Sequence, residues 1–232
     1  MSVIIDKNAE KSIFSELDGL GVKYYKSFDM NKLYKPVNTH PDMQIHFAGK
    51  NIAFAAPSAY EYYRSVLPKN VELQRGDNDP GETYPLDCAY NIAVIGRYVI
   101  CRLKSAERKI IDYYADKGYE FINVKQGYAK CNICIVDDNS AITEDENIYH
   151  NLIKAGIDTL KIPVGEISLK NFNYGFIGGA SGFISENKIA FIGNFSAMDY
   201  YDELFNFIKH KGKDIVFLSS VKPSDYGSML FF

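Results

Sequence analysis

A chain of 232 residues that is 47% hydrophobic can bury a substantial core, and its length fits one large domain spanning residues 1–232. Its formal charge of −3 comes from Lys, Arg, Asp and Glu scattered along the chain with no block of like charge, which argues against nucleic acid or an anionic membrane as partner. The opening Met-Ser-Val-Ile-Ile-Asp is too short an apolar run for a signal peptide or a span, so a cytoplasmic protein is expected, with Cys88, Cys101, Cys131 and Cys134 reduced.

Taken in chain order, strand-like runs and the helical stretches after them repeat one pattern. Val3–Ile5 leads to a helix over about 8–18 and a strand over Val22–Phe28. Ile52–Phe54 leads to Tyr60–Leu67 and then Val71–Arg75. Val99–Cys101 is followed by Ala106–Lys117 and Glu120–Lys125, and Ala141–Thr143 by Glu146–Ala155 and Thr159–Val164. The last copy runs Ile189–Phe191, Met198–Lys211, Asp214–Ser219. The starts at Val3, Ile52, Val99, Ile142 and Ile189 lie 49, 47, 43 and 47 residues apart, too regular for unrelated elements. Apolar stripes at helical spacing, such as Ile110, Ile111 and Tyr114 or Leu204, Phe205 and Ile208, predict packing against sheets. Gly21, Gly118, Gly156 and Gly212 stand where helix C-termini favour a left-handed residue.

Before four of the units lies a further short strand and a tight turn: Gln44–Phe47, Asn91–Ile95, Asn132–Val136 and Gly182–Ser185. The first unit has no such partner at the N-terminus, yet the chain ends in an unpaired strand, Ser228–Phe232. Supplying one from the other closes the array and removes its raw edges. The predicted fold is therefore α/β, a five-bladed propeller of strand-strand-helix-strand units: 225–232 plus 1–28, 42–76, 89–126, 131–165 and 180–220. About fifteen strands and five helices follow; a doubly wound sheet, the alternative, has nearer one strand per helix and no hairpins.

This order, with one unit completed across the termini, resembles the pentein or guanidine-modifying (amidinotransferase-fold) superfamily. The resemblance covers the whole chain as architecture and is carried by few motifs. It implies chemistry on guanidino groups by a cysteine near the C-terminus, a histidine within His-x-Asp or His-x-Glu, and carboxylates holding the guanidinium; a ribosome anti-association branch has the fold without the chemistry. His40-Pro41-Asp42 matches His-x-Asp, although the family's histidine usually comes from a middle unit. Where the family carries cysteine stands Ser228, a far weaker nucleophile.

The segments bridging one unit to the next, 35–43, 77–90, 126–131, 166–182 and 221–228, are expected to converge at one end of the axis. Candidate catalytic residues are His40, Asp42 and Ser228; candidate ligand-binding residues are Asn38, Asp87, Cys88, Lys130 and Asp225. The alternative for His-Pro-Asp is a turn in which Asp42 bonds its own backbone, and Cys88 is either a displaced nucleophile or an ordinary buried residue. Cys131-Asn132-Ile133-Cys134, read as strand, points its thiols to opposite faces, and no histidine supplies local spacing for zinc, so neither metal nor cofactor is expected. Gly178-Gly179-Ala180-Ser181-Gly182 fits no nucleotide loop; its small residues are expected to let chain cross near the axis. The readings that follow are an axial pocket for a small cationic or guanidino ligand, a non-catalytic protein-interaction domain with a protein partner, or a divergent guanidino-group hydrolase.

Overall fold

The computed structural model describes residues 2–232. Five three-stranded sheets share one pattern: a middle strand pairs parallel with the strand after its helix and antiparallel with one on its other side, which in four of the sheets precedes it through a tight turn. The first comprises β1 (Ser2–Ile5), α1 (Lys11–Gly19) and β2 (Lys23–Lys26). The second comprises β3 (Ile45–Phe47), β4 (Ile52–Ala55), α2 (Tyr60–Val66) and β5 (Glu72–Arg75). The third comprises β6 (Ala93–Ile95), β7 (Tyr98–Cys101), α3 (Arg108–Asp116) and β8 (Glu120–Asn123). A four-residue helix, α4 (Ala129–Asn132), precedes the fourth: β9 (Ile133–Asp137), β10 (Ser140–Thr143), α5 (Glu146–Lys154) and β11 (Asp158–Lys161). The fifth comprises β12 (Ser181–Ser185), β13 (Lys188–Phe191), α6 (Tyr201–His210) and β14 (Asp214–Phe217).

The chain closes as its repeat demands. β15 (Leu230–Phe231) pairs antiparallel with β1, Val3 opposite Phe231 and Ile4 opposite Leu230, and Ser2 and Phe232 exchange backbone bonds of 3.0 and 2.9 Å. The middle strands are buried almost throughout because each has a sheet neighbour on both sides and a helix over one face. Helices cover them with the predicted stripes, Ile110 and Tyr114 in α3 and Leu204 and Ile208 in α6; Phe205 turns outward and is exposed. Asp145 caps α5 by accepting from the Ile148 N–H at 2.8 Å, and Glu107 caps α3. The four helix-end glycines adopt the left-handed conformation foreseen for them, with φ between 66° and 81°.

The first strands of the four hairpins, β3, β6, β9 and β12, face the axis together with β15; there β12 meets both β9 and β15, and β6 meets β9. His40 caps a single 3-10 turn, Pro41–Met43, ahead of β3. One stretch departs from expectation. Cys131 lies in α4, not in a strand, so the Cys131–Cys134 pair is divided between a helix and β9. No helix among the described residues is long and apolar enough to cross a membrane.

Candidate functional site

The bridging segments do meet at one end of the ring. Four of the five supply the walls of a cavity of about 260 Å³, lined by His40 and Met43, Tyr128 and Cys131, Phe172, Tyr174 and Phe176, and Asp225, with Val37, Leu169 and Asn173 completing it. Buried amides position these segments. Gln44 Nε2 donates to the carbonyls of Phe28 and Asn38, both at 2.8 Å. Asn91 Oδ1 accepts from the N–H groups of Lys130 (2.7 Å) and Cys131 (3.1 Å), turning that stretch into α4.

His40 is held between two carboxyl groups, its Nε2 3.9 Å from Asp6 Oδ2 and its Nδ1 3.9 Å from Asp225 Oδ1. Asp225 also accepts from the N–H groups of Phe176 (3.0 Å) and Gly227 (2.9 Å). Burial pushes its carboxyl up to about 6, against the pull of His40 and with reinforcement from Asp42. Asp6 is raised for the same reason, and accepts from Thr39 Oγ1 at 2.9 Å and the Asn8 N–H at 2.7 Å. The glycines beside these groups are demanded by space: a Cβ on Gly179 falls 2.0 Å from Asp225 Oδ1, and one on Gly227 falls 2.2 Å from His40 Cβ. The crossing role read for the Gly178–Gly182 run has this physical content.

Beneath the cavity a polar cluster plugs the axis. Ser228, fully buried and left-handed at φ 68°, donates to Asp42 Oδ2 at 2.7 Å and accepts from Lys130 Nζ at 3.1 Å, with the Gly178 carbonyl 2.9 Å away. A non-glycine residue there costs about 1 kcal/mol, offset by these bonds. Cys131 Sγ donates to the same Asp42 oxygen at 2.9 Å. Burial, Asp42 and Asp225 push the Cys131 thiol far up, so it is a neutral donor. The Asp42 side chain thus bonds across the axis and does not close a turn on its own backbone.

His40, Asp42, Lys130, Ser228 and Asp225 come together as the spacing predicts. Three other candidates do not join them. Asn38 turns away to bond Asp29 Oδ1 at 2.6 Å. Asp87 stands behind Tyr128, whose hydroxyl donates to it at 2.6 Å, and Cys88 donates to Asp87 at 3.1 Å; neither lines the cavity. Burial, with Asp87 beside it, raises the Cys88 thiol strongly, which is the environment of a structural cysteine. Sequence reasoning missed Asp6 and Glu144. Both directly follow a middle strand, a position held in the five units by Asp6, Ala56, Arg102, Glu144 and Ile192, and a buried charge at a strictly repeated position was the available signal. Glu144 Oε2 accepts from the Ile177 N–H at 3.1 Å while Oε1 has no partner, and burial pushes its carboxyl up to about 8.

Solved structures share this architecture at identities that speak for fold alone. Dimethylarginine dimethylaminohydrolase from Pseudomonas aeruginosa, complexed with citrulline, aligns over 93% of this chain and 91% of its own with a TM-score of 0.58 and 9% identity. A dimethylarginine dimethylaminohydrolase carrying a 4-chloro-2-hydroxymethylpyridine adduct aligns over 93% and 90%, with a TM-score of 0.57 and 9% identity. An amidinotransferase of saxitoxin biosynthesis from Microseira wollei aligns over 88% and 72%, with a TM-score of 0.55 and 10% identity. No curated protein matches in sequence. The fold is that of the pentein superfamily, and, since the model of the family of unknown function DUF6873 matches residues 4–230, the chain belongs to that family.

Proposed function

We propose that the cavity binds a small molecule with a cationic amino or guanidino head, and that binding rather than turnover is its role. The observation that carries this is the buried Asp225 carboxyl in the wall of a cavity to which Tyr128, Phe172, Tyr174 and Phe176 bring aromatic rings. Aromatic faces attract cations, and a desolvated carboxylate is repaid by a charge-assisted hydrogen bond. The related folds named for guanidino chemistry are consistent with such a head group without assigning it.

Calorimetric titration with arginine, agmatine and methylarginines is expected to show binding that Asp225→Asn weakens roughly 10–100-fold, the worth of a hydrogen bond between charged groups. In the unmutated protein the affinity should fall as pH drops through about 6, because protonating Asp225 removes the charge the ligand pairs with. A pH-independent affinity, or no binding by any of these cations, refutes the reading.

Turnover is disfavoured by the plug. Ser228 is inaccessible and spends its proton on Asp42, and Cys131, a lining residue, has a neutral thiol turned to Asp42. A colorimetric ureido assay is expected to give no product from these substrates. Product formation lost in both Ser228→Ala and His40→Ala would show hydrolysis, and loss in Cys131→Ala or Cys88→Ala a relocated nucleophile.

One observation favours a second reading, a protein-interaction surface. Exposed Tyr34 packs edge-on against Phe172, and exposed Tyr84 packs against Tyr128, extending the aromatic lining outward to the rim.

A further inference from the structure

The axial plug has a second side. Beyond Asp42 and Lys130 lies a separate cavity of about 170 Å³ that shares no lining residue with the first and is walled by the axis-facing strands. Ile45 and Phe47 of β3, Val94 of β6, Ile135 of β9, Phe183 of β12 and Leu230 of β15 make it apolar. Its polar end is formed by adjacent groups that leave bonding capacity unused. Asp42 Oδ2 takes both Ser228 and Cys131, while the buried Oδ1 has no partner among the described residues; Asp42 lines this cavity and not the other. Lys130 Nζ, also lining it, donates to Ser228 alone among the described residues, with two further protons to give. No ion pair within 4.0 Å joins Lys130 to Asp42 among the described residues. His46 on the wall is pushed by burial down to about 4 and adds no charge at neutral pH.

A buried carboxyl oxygen without a partner costs free energy until something donates to it. One negative and one positive group side by side in an apolar shaft disfavour a net charge on whatever enters and match a group with a donor beside an acceptor. We propose that this cavity is a second binding site, for a small neutral molecule bearing a carboxamide or ureido head. Its carbonyl accepts from Lys130 Nζ, its N–H donates to Asp42 Oδ1 after a turn of the carboxyl that uncovers this buried oxygen, and a short apolar body fills the shaft. The two cavities share no lining residue, and Asp225 lines only the first.

The test uses ligand-observed NMR and crystal soaking with propionamide, butyramide and N-propylurea, beside propionate and propylamine as charged counterparts. Expected are saturation-transfer signals and density at Asp42 and Lys130 for the amides and the urea. Lys130→Met should weaken binding at least tenfold. Val94→Phe, which fills the shaft without touching the plug, should abolish it, and Asp225→Asn should leave it unchanged. Density for ordered water alone, preference for propionate or propylamine, or binding lost in Asp225→Asn but kept in Val94→Phe would overturn the proposal. Failure of the cation titration leaves these outcomes unaffected, so the two sites stand or fall separately.

Discussion

Deleting Leu230–Phe232 is expected to lower the melting temperature by roughly 10–20 °C or to prevent folding. The segment removes three contributions at once. β15 covers the edge of β1, and its loss strips the pairing of Val3 with Phe231 and Ile4 with Leu230. The two bonds between Ser2 and Phe232 vanish with it. Phe232 stacks on Phe47 at 4.6 Å between ring centroids and packs against Tyr25 at 5.7 Å, tying the first sheet to the second. Burying one leucine and two partly covered phenylalanines is worth about 4–6 kcal/mol, a large share of the 5–15 kcal/mol that holds a domain folded. In a chain of this length that converts to about 2–4 °C per kcal/mol. Differential scanning calorimetry of the truncated protein checks it, and an unchanged melting temperature contradicts the role of β15 as closure.

Glu144→Gln is expected to stabilise the protein in alkaline solution and to have little effect in acid. Burial raises the Glu144 carboxyl from an ordinary 4.5 to about 8 in the folded chain. A raised carboxyl favours folding fully below its unfolded value, and that contribution is lost as pH rises through the folded one. Between about 4.5 and 8 the unfolded chain has released this proton and the folded chain has not, so stability declines with pH. The gap corresponds to on the order of 4–5 kcal/mol. Glutamine has the shape of the neutral acid, keeps an oxygen for the Ile177 N–H, and cannot ionise. Asp225 and Asp6 are raised in the same direction, so the measurement is the difference between the two proteins, by urea denaturation at pH 5, 7 and 9. The variant should gain as pH rises to about 8 and keep that gain at pH 9. Parallel stability profiles for the two proteins would show that Glu144 does not carry the buried proton.

Much of the fold was legible because each unit is specified locally. The start-to-start spacing, the glycine after each of four helices and the apolar stripes act within a few residues, and β1 to β14 lie within a few residues of their expected places. The closure was legible too, since an unpartnered first strand and a trailing apolar strand complete one another. Where local reading failed, a remote contact intervened. Residues 129–132 form a helix and not the approach to a strand because Asn91, some 40 residues earlier, accepts from two of its N–H groups.

By itself the sequence determined the five-fold order, the closure across the termini and the segments that carry the site, because periodicity and turn chemistry operate over short stretches. It also supplied His40, Asp42, Lys130, Asp225 and Ser228 as members of one cluster. Tertiary structure alone decided which way each of them faces. Lys130 and Cys131 are neighbours in the chain, yet one lines the inner cavity and the other the outer, while Asp87 and Cys88 occupy a corresponding segment and are screened by Tyr128. The physical reason is that side chains in short turns take their direction from contacts far away in sequence, so a repeat predicts where a segment arrives but not which of its polar groups meets the cavity.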